Sequence, residues 1–521
     1  MNLVKLKKTR VFVSVIFFLI TLISFLDILN IIPAQIFPFL LYFQFIPSAL
    51  KFFNQFSLLA TGFILVLILT FLFGRIYCSS VCPLGTLQDI ISGIAVRLNK
   101  KKYFRLLNDF KLLKYTTLCI TIISIFSGSL ILLNLIDPYS LTGKIFTNIF
   151  RIAVIPLNNL IALLLERFNI FSVYSIDIKA LSWLSIGFSS VILIIIGIMS
   201  FGNGRLFCNT ICPVGTFLGL ISRTSFYKIR IDQRECTGCG VCETVCKAGC
   251  IDNDNQLIDF ERCVNCFNCF TVCPLNGIVY KRSNTRFGKA SNQLVDEEKR
   301  KFFKRFFIGI ISTTGFIRAQ VKIIPKKEST IPILKKLYPS PPGSSSVDHY
   351  YSTCTACHLC VSACPTHVLQ PSFLEHGWFN ILQPYLDNSA AYCTFECIRC
   401  TEVCPTGAIL PLTIKEKRTL QIGKTNFVKE NCIVETEGTA CGACSEHCPT
   451  KAVIMVPYKN NLKIPEVKND YCVGCGACEY ACPTIPFKAI YVEGNQIHQI
   501  AKIAPQERLE QEVNYKEEFP F

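Results

Sequence analysis

The spacing of cysteines constrains this chain more than any other feature. Between Asp232 and Pro274, Cys236, Cys239, Cys242 and Cys246 follow a C-x2-C-x2-C-x3-C run, and Cys263, Cys266, Cys269 and Cys273 repeat it with a proline after the last cysteine. Three thiolates this close together wrap one face of an iron-sulfur cube, and the fourth cysteine of each run reaches across to the other cube. The expected quartets are therefore Cys236, Cys239, Cys242 with Cys273, and Cys263, Cys266, Cys269 with Cys246. Lys247 stands where a proline would ordinarily follow Cys246.

Four further runs lie beyond residue 350. Cys354, Cys357, Cys360 and Cys364 keep the standard spacing, as do Cys472, Cys475, Cys478 and Cys482. Cys393, Cys397, Cys400 and Cys404 open with three intervening residues, and Cys432, Cys441, Cys444 and Cys448 open with eight. Exchanging the last cysteine within successive pairs gives four more quartets: Cys354, Cys357, Cys360 with Cys404; Cys393, Cys397, Cys400 with Cys364; Cys432, Cys441, Cys444 with Cys482; and Cys472, Cys475, Cys478 with Cys448. Disulfide scaffolds are short and irregular in spacing, and structural zinc sites favour isolated C-x2-C pairs, so a six-fold repeated run excludes both. The runs use 24 of the 30 cysteines. They predict small α+β bacterial-type ferredoxin modules of two cubes each, over residues 232–280, 350–410 and 425–500, and about six [4Fe-4S] clusters. Cys250 reads as a bystander. The C-x-x-C-H pattern ending at His358 matches a haem attachment motif by chance, because it lies inside a four-cysteine run.

Residues 1–231 are of another kind. With 51% hydrophobic residues and a mean hydropathy of +0.40, the chain is too apolar to be soluble throughout, and the expected fold here is an α-helical membrane domain with four transmembrane helices. The stretches long and apolar enough are Val11 to Ile31, Phe56 to Phe73, Tyr115 to Ile136 and Ala180 to Gly202. This half holds 21 Lys and Arg against 6 Asp and Glu, a balance of +15 out of the chain's +17. The positive charge flanks apolar spans, as the positive-inside rule requires, so it is an orientation signal and excludes a nucleic-acid partner. It puts the N-terminus and residues 75–114 in the cytoplasm, and four spans return the chain there before Cys236. No small-residue cleavage site follows the first apolar run, so it does not read as a cleaved signal peptide. Two proline-interrupted segments, Ile28 to Leu50 and Ile152 to Leu165, pack at the outer interface or shape a pocket for a lipid-soluble substrate such as quinol.

The membrane half also repeats itself. GRIYCSSVCPLGT begins at Gly74 and GRLFCNTICPVGT at Gly204, 130 residues later. So literal a repeat implies two related halves. On a helix the thiols of Cys78 and Cys82, and of Cys208 and Cys212, would each share a face. Metal or cluster ligation by the four together, a redox-active thiol role and a structural role all remain open. Cys119 reads as a small buried apolar residue.

Between the halves, Asp296 to Gln320 has a basic cluster and then twelve apolar or small residues, short for a span and typical of a signal core. It reads as an internal export anchor, with a basic amphipathic helix on the membrane surface as the alternative, and residues 321–349 read as a linker. Spans ending in GR-x2-C-x3-CP-x-GT, twice, followed by a two-cluster module resemble NapH/MauN-type membrane quinol dehydrogenase subunits, related to the NosR and CcoG types. The PPG linker and the four later runs, one with the eight-residue opening, resemble NapG/MauM-type ferredoxins. The resemblance implies an inner-membrane protein that oxidises quinol and passes electrons to a periplasmic redox acceptor of the nitrate-reductase kind, with the second half periplasmic. A CcoG-type metal-reducing assembly factor and a polyferredoxin scaffold lying wholly on the cytoplasmic side are the rival readings. No nucleophile, base pair or phosphate loop stands out; Asp27 is the one candidate for proton release within a span. Residues 501–521 form a tail.

Overall fold

The apolar runs of the first half form helices whose order is α1 (Leu3–Leu26), α2 (Phe37–Tyr42), α3 (Phe45–Gln55), α4 (Gly62–Phe73), α5 (Ile76–Ser80), α6 (Pro83–Leu98), α7 (Lys111–Phe126), α8 (Ile131–Ile136), α9 (Pro138–Ile145), α10 (Arg151–Glu166), α11 (Trp183–Asn203), α12 (Leu206–Thr210) and α13 (Pro213–Ser222). The computed structural model describes residues 3–27, 32–33, 36–55, 60–98, 104, 106, 109–175, 182–275, 277–282, 331–373 and 375–503. The expected anchor at 296–320, the first part of the linker and most of the tail lie outside the described residues.

Among the described residues, three helices are long and apolar enough to cross a membrane: Lys5–Leu26, Pro138–Glu166 and Trp183–Asn203. The first and last answer to the expected spans at Val11 and Ala180, whereas the other two differ. Among its described residues, the stretch expected from Phe56 forms the twelve-residue α4, against the roughly 20 of a full helical crossing. The stretch from Tyr115 to Ile136 breaks in two, because α7 ends at Phe126 and Gly128 takes φ +80°. A longer helix follows it. Asp137 caps its N-terminus by accepting from Ser140 N at 2.8 Å, Pro138 occupies the first turn, and a π-turn over Phe146–Phe150 joins α9 to α10 without interruption. Pro156 sits inside α10, so the proline that argued for a broken segment is accommodated within a helix. Cys119 is exposed on α7 rather than buried, among the exposed apolar residues Ile120, Ile122 and Ile123, as suits a face turned to lipid.

The soluble parts are built on two-stranded pairs, most of them very short. In the first module β1 (Tyr227–Ile231) pairs antiparallel with β4 (Ile278–Arg282), Tyr227 opposite Arg282, and β2 (Ile251–Asp252) pairs with β3 (Leu257–Ile258). The same plan returns at the end of the chain, where β7 (Leu420–Phe427) pairs with β10 (Ile490–Ile500) around the hairpin of β8 (Val453–Pro457) and β9 (Lys463–Val467). Between them β5 (Leu369–Pro371) pairs with β6 (Pro384–Leu386). In the first and last modules a strand ahead of the first cysteine run thus closes on a strand behind the second, tying the module's ends together.

α1 serves as a ruler for where these modules sit. At its start, Lys7 Nζ donates to Thr271 Oγ1 of the first module at 3.0 Å. At its far end, Asp27 Oδ2 lies 3.9 Å from Arg399 Nη2, and Phe25 and the Cys357 carbonyl both close on Gly143, where a Cβ would lie 2.7 Å and 2.3 Å from them. Nearby, Asn148 Nδ2 is 3.4 Å from His358 Nδ1. At 1.5 Å per residue, Lys7 and Asp27 are about 30 Å apart, close to the hydrocarbon thickness of a bilayer. The two soluble halves therefore pack at opposite ends of one apolar helix. A single buried core runs from the membrane helices through the first module and into the Cys354 region, while the Cys432 region has its own.

Candidate iron-sulfur sites

Each expected quartet comes together. Cys236, Cys239, Cys242 and Cys273 line one cavity, and Cys246, Cys263, Cys266 and Cys269 line the next. A third cavity is lined by Cys364, Cys393, Cys397 and Cys400. Cys354, Cys357 and Cys360 face Cys404; Cys432, Cys441 and Cys444 face Cys482; and Cys472, Cys475 and Cys478 face Cys448, each set near enough to interact electrostatically. Local backbone makes this possible: Gly238, Gly240, Gly474 and Gly476 hold φ between +69° and +81°, letting amides turn toward the thiols. Among the described residues, no group of three or more His, Cys, Asp or Glu side chains is placed to hold a single metal ion. A cube, whose irons spread its four ligands apart, fits these quartets better than one ion does. Cys250 lines the same cavity as the second quartet, its Sγ 3.5 Å from Cys246 Sγ.

Burial pushes the thiol of Cys266 up to about 11 and those of Cys354, Cys444 and Cys475 up to about 12. Such groups ionise at neutral pH only against bound cations, so metal loading must release protons. The second half adds a recurring hydroxyl. Its four run-closing cysteines each begin Cys-Pro-Thr, and Thr366, Thr406, Thr450 and Thr484 place Oγ1 at 3.7, 3.8, 3.7 and 3.1 Å from Cys364, Cys404, Cys448 and Cys482 Sγ. A ligating thiolate has no proton, so the hydroxyl donates and favours the more negative, reduced state. Thr484→Val is expected to lower the midpoint potential of one cluster by on the order of 40 mV, the equivalent of a hydrogen bond worth about 1 kcal/mol, while Thr484→Ser leaves it in place. A redox titration followed by EPR reads this directly, and identical titrations for all three proteins would remove the role.

The repeated motif of the membrane half brings its four cysteines into one buried place. Cys78, Cys82, Cys208 and Cys212 are each at most 4% exposed and interact with one another. They do not share helix faces as expected: α5 ends at Ser80 and α12 at Thr210, which leaves Cys82 and Cys212 in the turns before α6 and α13. Every other letter of the motif has a job. Gly74 and Gly204 end α4 and α11 with φ +85° and +64°, a conformation that favours glycine. Pro83 and Pro213 open α6 and α13. Thr86 and Thr216 donate to the carbonyls of Cys82 and Cys212.

The motif's arginines cross over. Arg75 reaches the second copy, donating to Asn209 Oδ1 at 2.9 Å and Cys208 O at 3.2 Å, and Arg205 reaches the first, donating to Cys78 O at 2.6 Å. Asp89 takes Arg205 at 2.9 Å, Arg10 at 3.2 Å and Lys247 at 3.5 Å, which gives Lys247 a reason to stand where a proline was expected. Sequence reasoning passed over Arg75, Arg205 and Asp89. The signal was present, since the two arginines occupy the same place in both copies. Asp27, the candidate for proton release, accepts from Ile32 N at 3.0 Å and faces Arg399.

Known families match along this geometry. A family described as a 4Fe-4S binding domain matches residues 55–102 and again 185–232, the two copies of the motif. Families described as 4Fe-4S dicluster domains match 259–368, 353–409 and 437–485. The chain thus carries several 4Fe-4S ferredoxin domains. Among individual relatives, it is 29% identical over 194 residues to the methylamine utilization ferredoxin-type protein MauM of Methylophilus methylotrophus, covering 35% of this chain and 80% of that one. It is 29% identical over 181 residues to the ferredoxin-type protein NapG of Escherichia coli, covering 33% and 77%. An uncharacterized protein of Methanocaldococcus jannaschii is 24% identical over 215 residues, covering 40% of this chain and 65% of that protein. These likenesses support an iron-sulfur electron-transfer protein, and the three long apolar helices add a membrane association.

Proposed function

We propose that this protein is a membrane-anchored electron conduit that oxidises quinol and passes electrons through [4Fe-4S] clusters, held by the six quartets, to a redox acceptor across the inner membrane. The observation that carries the reading is the placement of the two soluble halves at opposite ends of α1, with cysteine quartets at both. Quinol gives up two electrons and two protons, and the clusters take electrons singly. The chain's own residues fix the order of the centres, keep them dry and set their potentials through hydrogen bonds and charge. In this arrangement the first module faces the cytoplasm and the second half the periplasm, so an exported acceptor meets the Cys432 and Cys472 quartets. The NapG and MauM likenesses agree with such a role.

Two measurements test it. Anaerobically purified protein mixed with a quinol analogue is expected to bleach in its iron-sulfur absorbance. Bleaching by dithionite with none by quinol would remove quinol as the donor. A reporter joined after Phe521 is expected to be active only outside the cytoplasm, and activity confined to the inside would instead favour a cytoplasmic scaffold.

A further inference from the structure

We propose that Cys78, Cys82, Cys208 and Cys212 together hold one more iron-sulfur cube, shared between the two copies of the membrane motif, with Arg75 as its charge partner. The membrane half would then conduct electrons as well as anchor the soluble halves. Each matched 4Fe-4S segment has only two cysteines in its motif, too few for a cube of its own, and the structure places the two pairs together.

Charge decides between this and the other readings of the four thiols. Arg75 is 1% exposed. Its partners are the neutral Asn209 amide, the carbonyls of Glu261 and Cys208, and Cys78 Sγ at 4.0 Å, and its Nε has no partner among the described residues. No carboxylate among the described residues lies within ion-pair distance of it, in contrast to Arg205, which has Asp89. Asp89 is itself shared by three cations. Among the described residues, Arg10, Arg205 and Lys247 share Asp89 and Arg75 pairs with no carboxylate, so these four cations stand against one paired carboxylate, a local excess of three positive charges; the nearby Glu261 carboxylate is taken by Lys114 and Arg223. A buried guanidinium without a compensating anion carries a large desolvation penalty that neutral acceptors offset only in part. Neutral thiols or two disulfides supply no anion. Four thiolates on a cube do, and the complex gains one further negative charge on reduction.

Position supports the same assignment. Arg10 Nη1 donates to Ser79 O at 3.1 Å, which sets the four cysteines at the Arg10 level of α1, between the first module at Lys7 and the second half at Phe25. Arg75 donates to Glu261 O at 2.8 Å and Asn209 Nδ2 to Ala248 O at 3.1 Å. Both carbonyls lie within two residues of ligands in the Cys246 and Cys263 quartet. A cube held by these residues would supply one-electron transfer between that neighbouring quartet and the second half. All iron-thiolate bonds persist and no proton is transferred.

The test uses the full chain, prepared anaerobically and reduced with dithionite, so that it stands or falls independently of quinol oxidation. Wild type is expected to hold about 28 irons, and Cys78→Ser or Cys212→Ser about four fewer with one EPR centre missing. Iron and sulfide unchanged in both variants, zinc in place of iron, or disulfides among the four cysteines by mass spectrometry would overturn the proposal. Should the serine variants fail to fold, Arg75→Gln keeps every thiol. It is expected to shift the reduction equilibrium of one centre at least tenfold toward the oxidised state, 59 mV for a one-electron couple, with Arg75→Lys restoring most of it. Titrations in which no centre moves would overturn the role of Arg75.

Discussion

Stripping the iron is expected to unfold the soluble parts and spare the membrane helices. The reason lies in how little else holds the modules. β2 and β3 are two residues each, β5 and β6 three each, and cysteines supply much of the buried apolar surface around them. Net domain stabilities are about 5–15 kcal/mol, and a structural zinc site in a small domain contributes about 10–16 kcal/mol. If a cube contributes comparably, losing one removes the whole margin of its module. The long helices need no metal, because their backbone hydrogen bonds are internal and their apolar faces are satisfied by lipid. After oxidation and chelation, circular dichroism should retain the helical signal while protease cuts freely between residues 331 and 503, and readdition of iron and sulfide under reducing conditions should restore protection. A metal-free chain as resistant as the loaded one would show that the modules fold on packing alone.

What could be read from the chain in advance divides by range. The groupings of cysteines were legible because the four-cysteine run recurs with its last two spacings constant, and the swap of the fourth follows from pairing neighbouring runs. The helices at Val11 and Ala180 were legible from uninterrupted apolar runs. The break inside the third expected stretch was missed because local composition outweighed boundary chemistry. Tyr115 to Ile136 is greasy throughout, yet Gly128 stops it, while the Asp137 cap and Pro138 start a longer helix that Pro156 does not break. The docking of Arg399 on Asp27, 372 residues away, left no mark in local pattern. The arginine crossing is an intermediate case, since repetition flagged the positions and only the fold showed that each serves the other copy.

That crossing yields the sharpest mutational contrast. Gly85→Ala is expected to destabilise the membrane half, because a Cβ there would lie 2.3 Å from the Cys78 carbonyl oxygen and 2.4 Å from Arg205 Nη1. Neither neighbour can retreat easily: the carbonyl belongs to the backbone of α5, and the guanidinium is held by Asp89. Gly215, in the second copy, is pressed in the same way by the Cys208 carbonyl at 2.3 Å and Arg75 Nη2 at 2.9 Å. Overpacking of this kind costs about 1–3 kcal/mol and sometimes more, and here it pushes directly on the clasp that brings the two cysteine pairs together. Gly93 lies on the same helix, α6, with nothing within 4 Å of its Cβ position, so Gly93→Ala should be neutral or stabilising by up to about 1 kcal/mol through helix propensity. Thermal unfolding of the detergent-solubilised protein should therefore fall for Gly85→Ala and Gly215→Ala and hold or rise for Gly93→Ala. Equal behaviour of all three would mean that the arginines do not pass over these glycines, and the two copies of the motif would lose the contact that joins them.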